Sequence, residues 1–183
     1  YLAIAMGATG DGFYSKELVK GINDEARESR LAAIQAAGMV RSTEAVDKLI
    51  SVIERSDYQD ERLAATMSLG FIGDDRSVPI LNELLADEEP NIRWDAAIAL
   101  AKMGEISSAP IIENLMDRSY LTTFPELDPK EVNKVILTAI ETSSLMKYDR
   151  FEPKLVLLAE SDENLKVRDA AIKMLKKSYN RII

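Results

Sequence analysis

The 183-residue sequence contains no cysteine and no histidine. Without cysteine the chain cannot form disulfides or thiolate nucleophiles, and without histidine it lacks the commonest metal ligand and the usual general base. The remaining residues form no other recognisable catalytic constellation. The composition therefore predicts a protein with no catalysis of its own, no tightly bound transition metal and no cofactor.

Positive charge and long apolar runs are also scarce. Lys and Arg number 23 against 31 for Asp and Glu, which gives a net charge of −8. This balance opposes attraction to phosphate backbones and anionic lipid, so nucleic acid is not expected as a partner. No apolar run reaches the roughly 18 residues of a membrane-spanning helix, so no membrane insertion is expected. The lack of cysteine suits the cytoplasm, which is the predicted compartment, and equally the periplasm.

The basic residues are concentrated at the end of the chain. Residues 164–183 carry six Lys or Arg against a single acid, Asp169. These cations either complement the C-terminal end of a final helix or dock against an acidic surface.

One pattern occurs twice in the middle of the chain, 31 residues apart. Residues 62–73, RLAATMSLGFIG, return as residues 93–104, RWDAAIALAKMG, with Arg, an alanine step, Leu and the last Gly in register. A repeat of this period is typical of stacked helix pairs. Each repeat then consists of a first and a second helix. Small residues let the first helices of neighbouring repeats approach closely, and Gly73 and Gly104 suit a left-handed helix end. The second helices carry an apolar stripe spaced i, i+3, i+4, i+7, as from Val46.

The register divides the whole chain, residues 1–183, into one repeat domain. It predicts helix pairs at 1–9 and 14–24, 27–40 and 44–56, 60–72 and 76–87, 91–103 and 107–117, and 131–146 and 151–161, then a terminal helix at 164–178. Because the chain starts inside a helix pair and stops after an unpaired helix, we interpret it as a fragment of a longer protein.

An insert at residues 118–130 interrupts the period. Its end predicts a new helix, with Asp128 as the cap, Pro129 in the first position and Glu131 completing a capping box. Tyr120 and Phe124 are apolar residues on this connection, where function is often carried. They either contact a partner or fold back over the fourth helix pair.

These motifs resemble the HEAT-repeat superfamily. Residues 93–104 and the run LGFIGDDRSVPIL at 69–81 are similar to its short-repeat type, which is also found in phycobilisome lyase subunits. The resemblance implies an all-α fold, a right-handed α-solenoid of about five helix pairs plus a terminal helix. It also implies that the second helices line the concave side of a scaffold for protein partners. Such repeats define a fold better than a function.

An acid precedes the first-turn arginine of several repeats by six residues. The pairs are Asp24 with Arg30, Asp87 with Arg93, and Asp162 with Arg168, while Ser56 and Asp57 precede Arg62. We call these residues the arginine ladder and interpret it as a structural series of salt bridges and turn caps, because arginine forks suit carboxylate and carbonyl contacts. The alternative is that these charged residues bind a ligand.

Acids that are expected to be exposed on the second helices predict a partner-binding surface. The candidates are Glu44, Asp47, Glu83, Asp87, Glu113 and Asp117. Asn82 and Glu113 interrupt an otherwise apolar column, where they either hydrogen-bond to each other or make the groove polar for a partner. Trp94 either packs internally or is partly exposed and anchors an interface. An acidic groove would attract a basic protein or peptide. The alternative is that these acids only form a solvent-exposed face.

Two functional hypotheses follow. The leading one is a noncatalytic HEAT-like scaffold or adaptor that binds a protein or peptide in an acidic concave groove, and the acidity of the groove favours a basic partner. The alternative, which rests on the family resemblance, is a phycobilin lyase-like subunit or chaperone that holds a tetrapyrrole. In either case the chain can be an accessory module of an enzyme.

Overall fold

The computed structural model describes residues 15–181, and these residues form helices and turns without a strand. The all-α class that the sequence predicts is confirmed. The helix predicted at residues 1–9 lies outside the described residues.

The described helices follow the predicted register closely. They are α1 Ser15–Gly21, α2 Arg27–Met39, α3 Val46–Arg55, α4 Gln59–Ile72, α5 Val78–Glu83, α6 Pro90–Lys102, α7 Ala109–Leu115, α8 Arg118–Leu121, α9 Pro129–Ser143, α10 Phe151–Ser161 and α11 Leu165–Tyr179. Short 3-10 turns at Thr43–Ala45, Asp75–Ser77 and Ile106–Ser108 lead into α3, α5 and α7. The insert contains the short helix α8.

The chain divides into two compact units, Tyr1–Met103 and Gly104–Ile183. The single-domain organisation of residues 1–183 stays a prediction. In the first unit the first helices of the repeats, α2, α4 and α6, stack on one another, and each second helix packs against a first helix.

Small residues set the helix spacing in the first unit. A Cβ added to Gly38 would lie 2.6 Å from Ser68 Oγ, and one added to Gly70 would lie 2.6 Å from Ala99 Cβ. Neighbouring helices approach this closely because no side chain separates them. Large aliphatic side chains fill the remaining space, and Leu69 is fully buried. Burying such a side chain stabilises the fold by about 1.5–3 kcal/mol.

Helix ends follow the predicted local chemistry. Gly73 caps α4 with φ 69°, and Gly104 follows α6 with φ 82°, so both adopt the left-handed conformation that glycine tolerates. The capping box of α9 is also confirmed. Asp128 accepts from the backbone N–H of Glu131 at 2.8 Å, and Glu131 accepts from the N–H of Asp128 at 2.8 Å.

In the second unit, α9 contacts α7 and α11, and α10 packs along α11. Fully buried apolar side chains such as Ile112, Ile136, Phe151 and Leu155 form its interior.

Candidate partner-binding surface

Three predicted acids lie exposed on second helices of the first unit. The turn before α3 presents Glu44, the first turn of α3 presents Asp47, and the end of α5 presents Glu83. A hydrogen bond from its own backbone N–H is the main cause that lowers the pKa of Glu44. We call Glu44, Asp47 and Glu83 the acidic surface.

One arginine joins the turns beneath the acidic surface. The Arg76 guanidinium lies 3.1 Å from Asp47 Oδ1 and 2.9 Å from Asp74 Oδ1, and donates to the carbonyl of Thr43 at 2.7 Å. The hydrogen bond from Arg76 is the largest cause that lowers the pKa of Asp74. Since a single guanidinium serves two carboxylates, this cluster keeps a net negative charge.

Asn82, the other predicted polar residue of this region, is half-buried. Its amide donates to the carbonyl of Val78 at 2.9 Å, within its own helix. This bond satisfies the side chain locally, so Asn82 forms part of the helix surface beside Glu83.

The prediction that Glu113 is an exposed acid is wrong. Glu113 is only 6% exposed, and its carboxylate pairs with the Arg150 guanidinium at 2.9 Å. A buried carboxylate requires such a partner, and Arg150 comes from the loop before α10. Glu113 therefore stabilises the second unit and is not free for a partner.

Asp117 and Asp87 are half-buried, and they pair with Lys154 and Arg62, respectively. Asp117 accepts from Lys154 Nζ at 2.6 Å and caps α8 through the N–H of Ser119 at 2.9 Å. The bond from Lys154 is the largest cause that lowers the pKa of Asp117 to about 2. Because their charges are neutralised within the chain, both acids are weaker candidates than the acidic surface.

The aromatic candidates differ in exposure. Trp94 is 6% exposed, so the hypothesis that it is a partly exposed anchor is wrong, and the packing interpretation holds. Tyr120 and Phe124 are half-buried and meet edge to face with ring centroids 5.1 Å apart. Leu121 lies between them in sequence and is fully buried, which fixes the insert against the rest of the second unit.

The arginine ladder differs in detail from the prediction. Arg30 donates to the carbonyls of Asp24 and Glu25 at 3.2 and 3.1 Å, and Arg93 donates to those of Asp87 and Glu88 at 2.6 and 2.9 Å. The arginines thus contact turn carbonyls six and five residues earlier. The turn carboxylates cap their own turns instead, as where Asp87 accepts from the N–H of Glu89 at 2.9 Å.

The ionic partners of the ladder come from neighbouring elements. Arg30 contacts Glu61 at 2.8 Å, Arg62 pairs with Asp87, and the carboxylate of Asp162 pairs with Arg118 at 2.8 Å. The turn that holds Asp162 precedes Arg168, and Asp162 caps it through the N–H of Asn164 at 2.9 Å. These contacts support the structural interpretation of the ladder.

Arg118 has a role that sequence reasoning missed. Asn133 occupies the slot that holds Arg62 and Arg93 in earlier repeats. Arg118 donates both to Asn133 Oδ1 at 2.8 Å and to Asp162. The insert therefore supplies the guanidinium that the fifth repeat lacks, and the detectable signal was asparagine in the arginine slot.

Negative charge is unevenly divided between the units. Residues 1–103 contain 18 acidic and 11 basic residues, whereas residues 104–183 contain 13 and 12. The acidic surplus therefore lies in the unit that carries the acidic surface.

Two searches of the described residues complete the description. Between residues 15 and 181, no group of three or more Asp, Glu, His or Cys is placed to hold a metal ion. In the same part of the chain, no helix has the length and apolarity needed to cross a membrane.

Comparison with known proteins gives a family match for the middle of the chain. Residues 46–122 match the family model described as HEAT repeats. This part of the chain is thus similar to HEAT repeats, as its sequence pattern predicts. The search of curated proteins gives no match.

A solved structure adds a particular relative. The chain is similar to a chain in the structure of the complex of CpcE and CpcF of phycocyanin lyase from Nostoc sp. PCC7120, with a TM-score of 0.66 and 20% identity. The match covers 91% of this chain and 65% of that chain. At this identity the likeness shows the fold alone, which is the HEAT-like helical solenoid that the sequence predicts.

Proposed function

We propose that the protein is a noncatalytic HEAT-like scaffold or adaptor that binds a basic protein or peptide segment through the acidic surface of its first unit. The observation that carries the proposal is the exposure of Glu44, Asp47 and Glu83 on the second helices and the turn before α3, in a unit with a surplus of acids. Exposed carboxylates of one sign attract a basic segment from a distance and orient it on approach.

The shared guanidinium strengthens this argument. Arg76 neutralises part of the charge of Asp47 and Asp74, but it also fixes the turns before α3 and α5 relative to each other. Glu44 and Glu83 then lie on ordered elements, so less conformational entropy is lost when a partner binds. The similar phycocyanin lyase structure is a complex of two proteins, CpcE and CpcF, which supports a protein as the partner class.

A labelled helical peptide with leucines on one face and lysines on the other is a direct probe. Fluorescence anisotropy should show binding that weakens as salt increases, because the attraction is partly screened. Combining Glu44→Lys and Glu83→Lys should weaken binding about tenfold or more. The matched control combines Glu25→Lys and Glu28→Lys. Both acids are exposed, and Glu25 precedes α2 whereas Glu28 lies in its first turn. Equal losses in both double variants would contradict the proposal.

The alternative function is a phycobilin lyase-like subunit or chaperone that holds a tetrapyrrole. The fold likeness to a phycocyanin lyase chain favours it. Mixing the protein with a linear bilin tests it by visible absorption spectroscopy. The scaffold proposal expects an unchanged bilin spectrum. A shifted spectrum that saturates at one bilin per chain would favour the alternative.

A further inference from the structure

We propose that a groove in the second unit binds an acidic amphipathic segment of a partner protein. The groove lies between α9 and the beginning of α11 and has a volume of about 660 Å³. Its lining includes Lys130, Lys134 and Lys166, and we call it the lysine groove. It goes beyond the proposed function, because it lies in the other unit, on first helices, and has the opposite charge.

The groove exists because the fifth repeat departs from the repeat pattern. Its slot for a packing residue, filled by Leu31, Leu63 and Trp94 in earlier repeats, holds Lys134. The Lys134 side chain is exposed, whereas Trp94 is buried. Although α9 and α11 are in contact, the bulky apolar side chain that would fill the space between them is missing. The departure leaves an open, partly polar groove.

The lining of the lysine groove includes two apolar side chains, Leu137 and Leu165. Leu137 is half-buried along α9, and Leu165 at the start of α11 is 72% exposed. A leucine this exposed beside a groove offers apolar area that an apolar side chain of a partner would remove from water.

The lip of the lysine groove carries net positive charge. Its lining includes three exposed lysines but only two carboxylates, those of Glu141 and Glu163. Glu163 is already paired with Arg118 at 3.1 Å. Lysine attracts carboxylates by charge without demanding one geometry, so it suits a peptide rich in Asp and Glu.

The length of the groove indicates the form of the occupant. The lining residues of α9 run from Lys130 to Glu141 along one face of the helix. This stripe is about 16 Å long at the rise of an α-helix, which corresponds to roughly three turns of a helical peptide. The expected segment therefore has leucines on one face for Leu137 and Leu165 and acids on its flanks for the three lysines.

The test uses the full chain and a labelled 14-residue helical peptide with a leucine stripe flanked by glutamates. Anisotropy should show saturable binding that weakens with salt. Combining Lys134→Glu and Lys166→Glu should reduce affinity at least tenfold. The matched control combines Lys176→Glu and Lys177→Glu, which lie later on α11 outside the groove lining and should change affinity less than twofold. Leu165→Ser should reduce affinity about fivefold and leave the salt dependence unchanged.

Three outcomes would overturn the proposal. Equal losses in the two lysine pairs would mean diffuse attraction to the basic end of the chain. Equal affinity for a single-stranded RNA of the same charge would mean that the groove selects no apolar face. Absence of saturable binding at low salt would exclude an acidic segment. Each result is independent of the acidic surface, since the basic peptide that tests that surface is measured separately.

Discussion

At the scale of single residues, Asp95 on α6 is a carboxylate where two earlier repeats carry alanine. Ala32 and Ala64 occupy the equivalent positions of α2 and α4. Burial raises the pKa of Asp95 to about 6, and the charge of Lys102 partly opposes this. The folded state therefore binds a proton more tightly than the unfolded chain, whose ordinary Asp pKa is 3.8.

The first prediction concerns Asp95→Ala. At pH 7 the native carboxylate is charged and partly desolvated, so its removal should raise the free energy of unfolding by about 1–3 kcal/mol. As pH falls from about 6 to 3.8, the Asp95 carboxylate of the wild-type chain becomes protonated and its desolvation cost is lost, so the stability difference should become small near pH 4. Urea unfolding at both pH values measures this. Asp169→Ala at an exposed position is the control and should change stability little. The same gain at both pH values would refute the assignment.

The second prediction concerns Arg118. Its guanidinium neutralises Asp162, whose side chain is only 3% exposed. Arg118→Met should cost about 2–4 kcal/mol of unfolding free energy, because it leaves a carboxylate buried without its partner. Combining it with Asp162→Asn should recover much of the loss.

The control for Arg118 is Arg181→Met, which removes a more exposed pair with Glu152. An exposed pair of this kind contributes about 0–1 kcal/mol. Denaturant unfolding that finds equal losses in the two methionine variants would contradict the view that Arg118 replaces the missing ladder arginine.

At the scale of helices, the close approach of neighbouring first helices depends on particular glycines. Alanine is a better helix former than glycine by about 1 kcal/mol, so Gly70→Ala would stabilise an isolated helix. In this fold the added Cβ would lie 2.6 Å from Ala99 Cβ, and α4 and α6 would have to separate. We therefore predict a net loss of about 1–3 kcal/mol in thermal or urea unfolding.

Gln35→Ala on the exposed side of α2 is the control for Gly70→Ala and should change stability little. A more stable Gly70→Ala variant would show that the helix stack relaxes without cost.

The helices were predictable because their signals are local. The repeat register predicts the first helices, the glycine pattern predicts the turns at Gly73 and Gly104, and Asp128 with Glu131 predicts the start of α9. These signals act within a few residues, so no knowledge of distant contacts is needed.

The candidate site was less predictable because it depends on distant partners. Glu113 looks exposed by register, but Arg150 comes from a loop 37 residues later and allows it to be buried. Arg118 similarly pairs with Asp162 from the next repeat. The partner of such a side chain is determined by how the whole chain packs. The repeat pattern alone therefore does not predict these ion pairs.

At the scale of the whole molecule, charge is divided by unit. The first unit carries the acidic surplus and the acidic surface, and the second unit is nearly neutral and carries the lysine groove. A single chain would then bind a basic segment and an acidic segment at separate places, which is the function of an adaptor. The two interactions should both weaken with salt and respond to different substitutions.

The central claim is that the acidic surface receives the basic partner, and residue-resolved NMR of the full chain tests it most directly. Titration with the lysine and leucine peptide should shift the backbone amide signals of residues 43–51 and 75–83, which carry Glu44, Asp47 and Glu83. The shifts should saturate and should be lost in the Glu44→Lys and Glu83→Lys double variant. Shifts confined to the second unit, or an unchanged spectrum at saturating peptide, would contradict the account.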